Sequence, residues 1–195
     1  MSDRDYHHGN LEQALVEQSL AMVREHGLDK FSLRGAARAV GVDPAAAYRH
    51  FPNKAALLAA VASRVFSLLA ERMEQQTPES ADPEKRLRAI GAAYVHFAVD
   101  EPELFRLAFG PFGSGSEHHV SGVGPGGRNP YELLLDALAG LHRIGRVRHP
   151  PARAAISMWC AVHGLAHLAV DGNIDCDPID VVITQVLDDQ IRGVH

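Results

Sequence analysis

Residues 42–54 read Val-Asp-Pro-Ala-Ala-Ala-Tyr-Arg-His-Phe-Pro-Asn-Lys, which places a phenol, a guanidinium, an imidazole and an ammonium between Tyr48 and Lys54. On a helix, Ala47 and Phe51 fall on one face, and Pro44, Ala45, Tyr48, Arg49 and His50 on the other. Small residues followed by hydrogen-bond donors suit insertion into a groove of duplex DNA. A second constellation is Trp159, His163 and His167, spaced four apart and so on one helix face. Two histidines at this spacing can ligate zinc, with His96 as a further candidate, or can serve as pocket or core histidines. The run lacks the acidic partner of a His-Glu-x-x-His arrangement, which favours the pocket or core role. No set of nucleophile, base and orienting group emerges. The Gly-rich stretch from Gly110 to Gly127 lacks the strand–loop–helix setting and the Lys-Ser/Thr ending of a phosphate loop. The expectation is a protein that is not an enzyme and needs no metal or cofactor. A small helical metal protein or enzyme using His163 and His167, and a protein-interaction module, are the alternatives.

These residues need elements to hold them. Asp43 is a good N-cap, and Pro44 fits the first helical position, where a missing N–H is harmless. Pro52 stops the helix, and Asn53 can cap another that starts at Lys54. So short a helix cannot persist alone in water and must be braced. Braces precede it: a helix capped by Asn10 after a frayed arm, Met1–Gly9, with Leu11, Leu15, Val16, Ser19, Leu20, Met22 and Val23 as its stripe and Gly27 as its end. Ser32 caps a second helix that turns Leu33, Ala36, Ala37 and Val40 inward and ends at Gly41. Together they make a helix-turn-helix inside a three-helix unit.

The fourth helix, about 54–76, repeats Leu57, Leu58, Val61, Val65, Leu68 and Leu69 and ties the two halves together. After a linker at 77–82, further helices are expected from Pro83, Pro102, Pro130, Pro151 and Pro178, the last capped by Asp177. Residues 110–129, with His118 and His119, read as a loop. No strand alternation occurs, so the fold class is all-α. The domains are expected at 1–53 and 54–195.

The charge is unevenly spread. The chain has 195 residues and a formal net charge of −5; residues 1–54 carry seven Lys/Arg against seven Asp/Glu, and residues 55–195 twelve against seventeen. That balance argues against indiscriminate coating of nucleic acid, although a few cations on one face suffice for a specific site. Cys160 and Cys176 make no disulfide framework, and no apolar run reaches the length of a membrane span. A reducing cytoplasm is the expected setting, with no membrane partner.

Taken together, Gly27, Ser32, Ala37, Gly41-Val42, Tyr48, His50-Phe51 and Lys54-Ala55-Ala56-Leu57 resemble the tetracycline-repressor-like (TetR) family of bacterial transcription regulators over about 11–58. Trp159, His163 and Gly164, with Pro102-Glu103-Leu104-Phe105-Arg106-Leu107 and Tyr131-Glu132-Leu133-Leu134, are similar to its subgroup with a "WHG" ligand-binding domain. The resemblance implies a nine-helix fold, a homodimer through its last two helices (here about 151–171 and 178–192), and DNA affinity lowered by a small-molecule effector. It implies phosphate contacts for Tyr48, His50 and Lys54, and another at Ser32 and the start of the second helix. Tyr48 could instead pack on the first helix and His50 cap the fourth. Arg34 and Arg49 would read guanine, and Ala45 or Ala46 a thymine methyl, with Pro44 alongside. Trp159, His163 and His167 would line or buttress the effector pocket. Phe97, Phe105 and Phe109 are lining candidates, with ordinary core as the alternative. Two departures stand out: Gly35 and Ala36 in the second helix, and the apolar Ala45-Ala46 where the reading helix starts. Apolar residues of the last two helices (Met158, Val162, Leu165, Ala166 and Ala169; Ile179, Val182, Ile183, Val186, Leu187 and Ile191) could close the core or a dimer.

Overall fold

The computed structural model describes residues 3–76, 82–113, 123–174 and 178–193, with side chains from Leu11 onward. Among these residues there are nine α-helices and no strand: α1 (Asp3–His26), α2 (Leu33–Val40), α3 (Pro44–His50), α4 (Lys54–Gln75), α5 (Pro83–Asp100), α6 (Pro102–Phe109), α7 (Pro130–Arg143), α8 (Pro151–Val170) and α9 (Ile179–Gly193). The expected prolines open α3, α5, α6, α7 and α8. His118, His119, Cys176 and Asp177 lie outside the described residues, as does most of the 77–82 linker.

One expected boundary moves. α1 begins at Asp3, not after an Asn10 cap. Gly9 weakens a helix by about 1 kcal/mol without forbidding it, so a helix fixed further along can extend back through it.

The described residues fall into two compact units. One runs as far as Phe66 and adds the segment from Glu103; the other takes Ser67–Pro102 and the chain from Val123. α4 passes through both, Lys54–Phe66 in the first and Ser67–Gln75 in the second.

In the first unit α1, α2 and α3 pack on one another. Leu15, Val23, Leu33, Ala36, Ala37, Ala47 and Phe51 are buried there, with Leu57, Leu58 and Val61 of α4. α2 is held at both ends, by Ser32 Oγ accepting from Gly35 N–H at 3.0 Å and by Gly41 at φ +82°. In the second unit α5 packs against α7, α8 and α9, burying Leu87, Ile90, Tyr94 and Phe97. Asp82 caps α5 by accepting from Glu84 N–H at 2.9 Å. Asn129 and Glu132 close a reciprocal capping box on α7, at 2.9 and 2.8 Å.

Candidate nucleic-acid interface and aromatic–histidine cluster

α3 is positioned by its own sequence signals. Asp43 accepts from Ala45 N–H at 2.8 Å, Pro44 sits at the helix start, and Phe51 N–H bonds the Ala47 carbonyl at 2.9 Å. Ala47 and Phe51 are buried. Pro52 ends the helix, the chain bends by 66° into α4, and Asn53 Oδ1 accepts from Ala56 N–H at 2.8 Å. The inward face therefore pins α3, and its other face looks outward.

On that outer face Ala45, Tyr48 and Arg49 are exposed, Tyr48 by 42%, with Pro44 and Ala46 half-buried. From α2, Ser32 and Arg34 are exposed as well. Arg34 and Arg49 have no partner among the described residues. Arg38, one turn on from Arg34, is equally exposed and unpartnered. The sequence reading does not single it out, though its i,i+4 spacing from Arg34 was available as a signal.

Gly35 has a packing reason. A Cβ there would stand 2.9 Å from Ser32 Oγ and 3.3 Å from Met22 Cε, so the missing side chain lets the capped start of α2 approach α1.

His50 and Lys54 are placed differently from Tyr48 and Arg49. The His50 side chain is 10% exposed, and its Nδ1 lies 3.8 Å from Glu12 Oε2 of α1. Lys54 Nζ donates to the Phe31 carbonyl at 2.9 Å and the Leu28 carbonyl at 3.3 Å, and lies 5.6 Å from the Phe31 ring centre. It ties the start of α4 to the turn between α1 and α2 while remaining exposed.

The second unit gathers an aromatic–histidine cluster. Trp159, His163 and His167 do share one face of α8, all half-buried. Ring centres lie 6.0 Å apart for Trp159–His163 and 4.5 Å for His163–His167. Tyr131 of α7 stacks near Trp159 at 5.9 Å, and Tyr94 of α5 lies 6.2 Å from His163. The Tyr94 hydroxyl and His163 Nδ1 are 2.7 Å apart. Burial pushes the Tyr94 phenol far above its ordinary pKa, so it keeps its proton. The protonated hydroxyl pairs with Nδ1 and holds the His163 ring in place.

Tyr94 and Tyr131 are not among the residues the sequence singles out for this cluster. Tyr94 stands 69 positions from His163, and no local pattern links them. His96 lies apart from the pair, bonded to Asp180 Oδ1 at 2.8 Å. Among the described residues no three His, Cys, Asp or Glu side chains come together to hold a metal ion. Phe97 is buried in the same unit. Phe105 and Phe109 belong to the other unit, where they pack at 4.8 Å from each other and Phe109 meets Phe66 edge-on at 5.2 Å.

On α8 and α9, Met158, Val162, Leu165, Ala166, Ile183, Leu187 and Ile191 are buried within the unit. Ala169, Ile179, Val182 and Val186 are half-buried, and the exposed large apolar residues are Ile156 at 59%, Leu168 at 44% and Val181 at 60%. A Cβ on Gly164 would meet nothing within 4 Å, so α8 presents a bare backbone there.

Comparison with known proteins finds family matches over both parts of the chain. Residues 87–193 match the family described as "Tetracyclin repressor-like, C-terminal domain", and residues 15–61 match "Bacterial regulatory proteins, tetR family". A solved protein of unknown function from Rhodococcus sp. RHA1 is 31% identical, with 97% of each chain covered and a TM-score of 0.78. A TetR variant from Acinetobacter baumannii AYE, solved in complex with minocycline, shares the fold at 23% identity, a TM-score of 0.63, and 92% and 93% coverage. The nucleoid occlusion factor SlmA of Vibrio vulnificus (strain YJ016) is 32% identical over 97 residues, 49% of this chain and 50% of SlmA. The chain thus spans about half the length of the curated relatives it matches.

Proposed function

The chain belongs to the tetracycline-repressor-like (TetR) family of bacterial regulatory proteins, and on that premise we propose that it is a dimeric transcriptional repressor released from a palindromic operator by a small-molecule effector. The observation that carries the DNA-reading half is the pinned α3. Ala47 and Phe51 fix the helix, while Arg34 and Arg49 stand exposed and unpartnered beside Ala45 and Tyr48. A guanidinium without an internal partner is available to guanine O6 and N7. Tyr48, Ser32 and Lys54 serve the phosphates, and Pro44, Ala45 and Ala46 give the helix start an apolar surface for thymine methyls. His50, turned towards Glu12, joins them at the rim. We take the DNA-reading domain as 1–53 and the effector-binding and dimerising domain as 54–195.

The effector is assigned to the face of Trp159, His163 and His167, with Tyr94 and Tyr131 beside them and Phe97 in the core of the same unit. The Phe66–Phe105–Phe109 cluster is a second aromatic candidate, within the unit that holds the reading helix. His163, held through Nδ1 by Tyr94, gives the cluster a fixed polar group among aromatic rings, which suits recognition of a small molecule. The Acinetobacter relative was solved with minocycline, an instance of a small molecule held by this fold. Release follows as a population shift: the effector prefers a conformation whose reading helices are misplaced for DNA. Among the described residues no single helix is long and apolar enough to cross a membrane, and the proposed site of action is the cytoplasm.

The test is selection of bound fragments from a random DNA library. A palindrome should emerge, and Arg49→Ala should lower preference for it by about 1–3 kcal/mol. An unchanged preference would remove Arg49 from base reading; recovery of no common sequence would defeat the regulator reading.

A further inference from the structure

The turn between α7 and α8 carries charge that the operator reading does not use. Residues 142–153 read His-Arg-Ile-Gly-Arg-Val-Arg-His-Pro-Pro-Ala-Arg, four arginines and two histidines with no acid. Those arginines are a third of the Lys and Arg in residues 55–195, a segment with more acids than bases.

The fold holds this run as a fixed tip. Gly145 takes φ +72° after α7, its N–H bonding the His142 carbonyl at 3.0 Å, and Arg146 N–H bonds the Leu141 carbonyl at 2.9 Å. Val147 is buried, and His142 Nδ1 donates to its carbonyl at 2.8 Å. Arg146 is tied to Glu84 at 2.8 Å. Around these anchors Arg143, Arg148, His149 and Arg153 are exposed. The side chains of Arg148, His149 and Arg153 have no hydrogen-bond or ion-pair partner among the described residues, and Arg143 Nε donates to the Ala139 carbonyl at 3.4 Å.

Among the described residues only Arg146 of the tip's arginines has an acidic partner; the like charges of the others repel one another, and a bound polyanion relieves that repulsion. We propose that this tip is a second DNA-contacting surface, which holds the phosphates of duplex DNA without reading sequence and independently of the helix-turn-helix. Guanidinium forks match phosphate oxygens. Duplex DNA presents a charge about every 1.7 Å along its axis, enough to engage several arginines of one rigid tip. A second copy of the chain fits less well, because Asp180, Asp188 and Asp189 of α9 already pair with His96, Arg88 and Arg192. A lipid surface also fits less well. Ile144, 58% exposed, is the large apolar side chain the tip offers, and stable membrane anchoring needs more apolar burial than one such residue.

The test uses the full chain with its reading head disarmed by Arg34→Ala, Tyr48→Phe, Arg49→Ala and Lys54→Gln, which remove base-reading and phosphate contacts together, and follows the anisotropy of a labelled duplex of unrelated sequence. This chain should still bind, and three engaged phosphates should weaken it roughly 40-fold between about 50 and about 200 mM salt. Adding Arg143→Ala, Arg148→Ala and Arg153→Ala should abolish that binding, whereas lysine at the same three positions should keep it. Equal thermal melting of the alanine and lysine triples would show that charge was lost and not the fold. The proposal is overturned if the head-disarmed chain binds no duplex, if its binding survives the triple alanine, or if the tip binds phosphatidylglycerol vesicles in place of DNA. Failure of the helix-turn-helix reading registers separately, as an operator preference unmoved by Arg34→Ala and Arg49→Ala.

Discussion

In the proposed DNA complex Lys54 does two things with one ammonium. Two of its three donors are aimed at the Phe31 and Leu28 carbonyls, which leaves one for a phosphate. Lys54→Ala should therefore weaken all duplexes alike and reduce the salt slope by about one, and also destabilise the fold by about 1 kcal/mol. Salt-dependent anisotropy and urea denaturation measure the two effects; an unchanged stability would mean that the carbonyl contacts contribute nothing. Tyr94 makes a prediction of the opposite kind, about stability alone. Its pKa is raised by burial, so the folded chain keeps a proton that the unfolded chain releases near about pH 10. The contribution is whole below that pH, and stability declines as pH climbs above it. Tyr94→Phe should flatten this alkaline limb in denaturation curves. A limb unchanged by the substitution would assign it to other groups.

At the scale of elements, the turn after α1 is a close juncture in the first unit. Gly27 sits at φ +76°, and a Cβ there would stand 2.9 Å from Glu103 Oε2 of α6. Gly27→Ala should cost about 1–2 kcal/mol in backbone strain alone, plus displacement of Glu103. Combining it with Glu103→Ala should return the steric share and leave the strain, so a double-mutant cycle by chemical denaturation separates them. Strict additivity would show that the two residues do not collide. The helix starts at Pro44, Pro83, Pro102, Pro130 and Pro151 were legible because proline acts locally, on its own φ and its missing N–H. The start of α1 was not legible, since Gly9 and Asn10 permit a break without compelling one.

For the whole molecule, the proposed dimer rests on Ile156, Leu168 and Val181, exposed on α8 and α9. In a two-fold interface every residue meets the matching patch of the partner, so each substitution counts twice. Ile156→Glu with Val181→Glu should shift the protein to monomer in sedimentation equilibrium and weaken operator binding, because two half-sites are no longer held together. A persistent dimer would place the interface elsewhere. The same dimer must show reciprocal coupling: DNA should weaken effector binding by the factor with which effector weakens DNA binding.

The sequence by itself determined most of the helices, several of their caps and the outward face of α3, because each depends on neighbours within about a turn. Asp43, Pro44, Ala47, Phe51 and Asn53 could be assigned from spacing, and the structure bears them out. The face shared by Trp159, His163 and His167 was legible for the same reason. Tertiary structure alone decided what each face meets. It brought Tyr94 to His163, turned His50 towards Glu12, gave Lys54 the Phe31 and Leu28 carbonyls, and grouped α6 with the reading head. It also chose, among apolar residues of the same period on α8 and α9, which close the core and which stay outside. Periodicity says that a face is apolar, but only the packing of distant segments says what covers it.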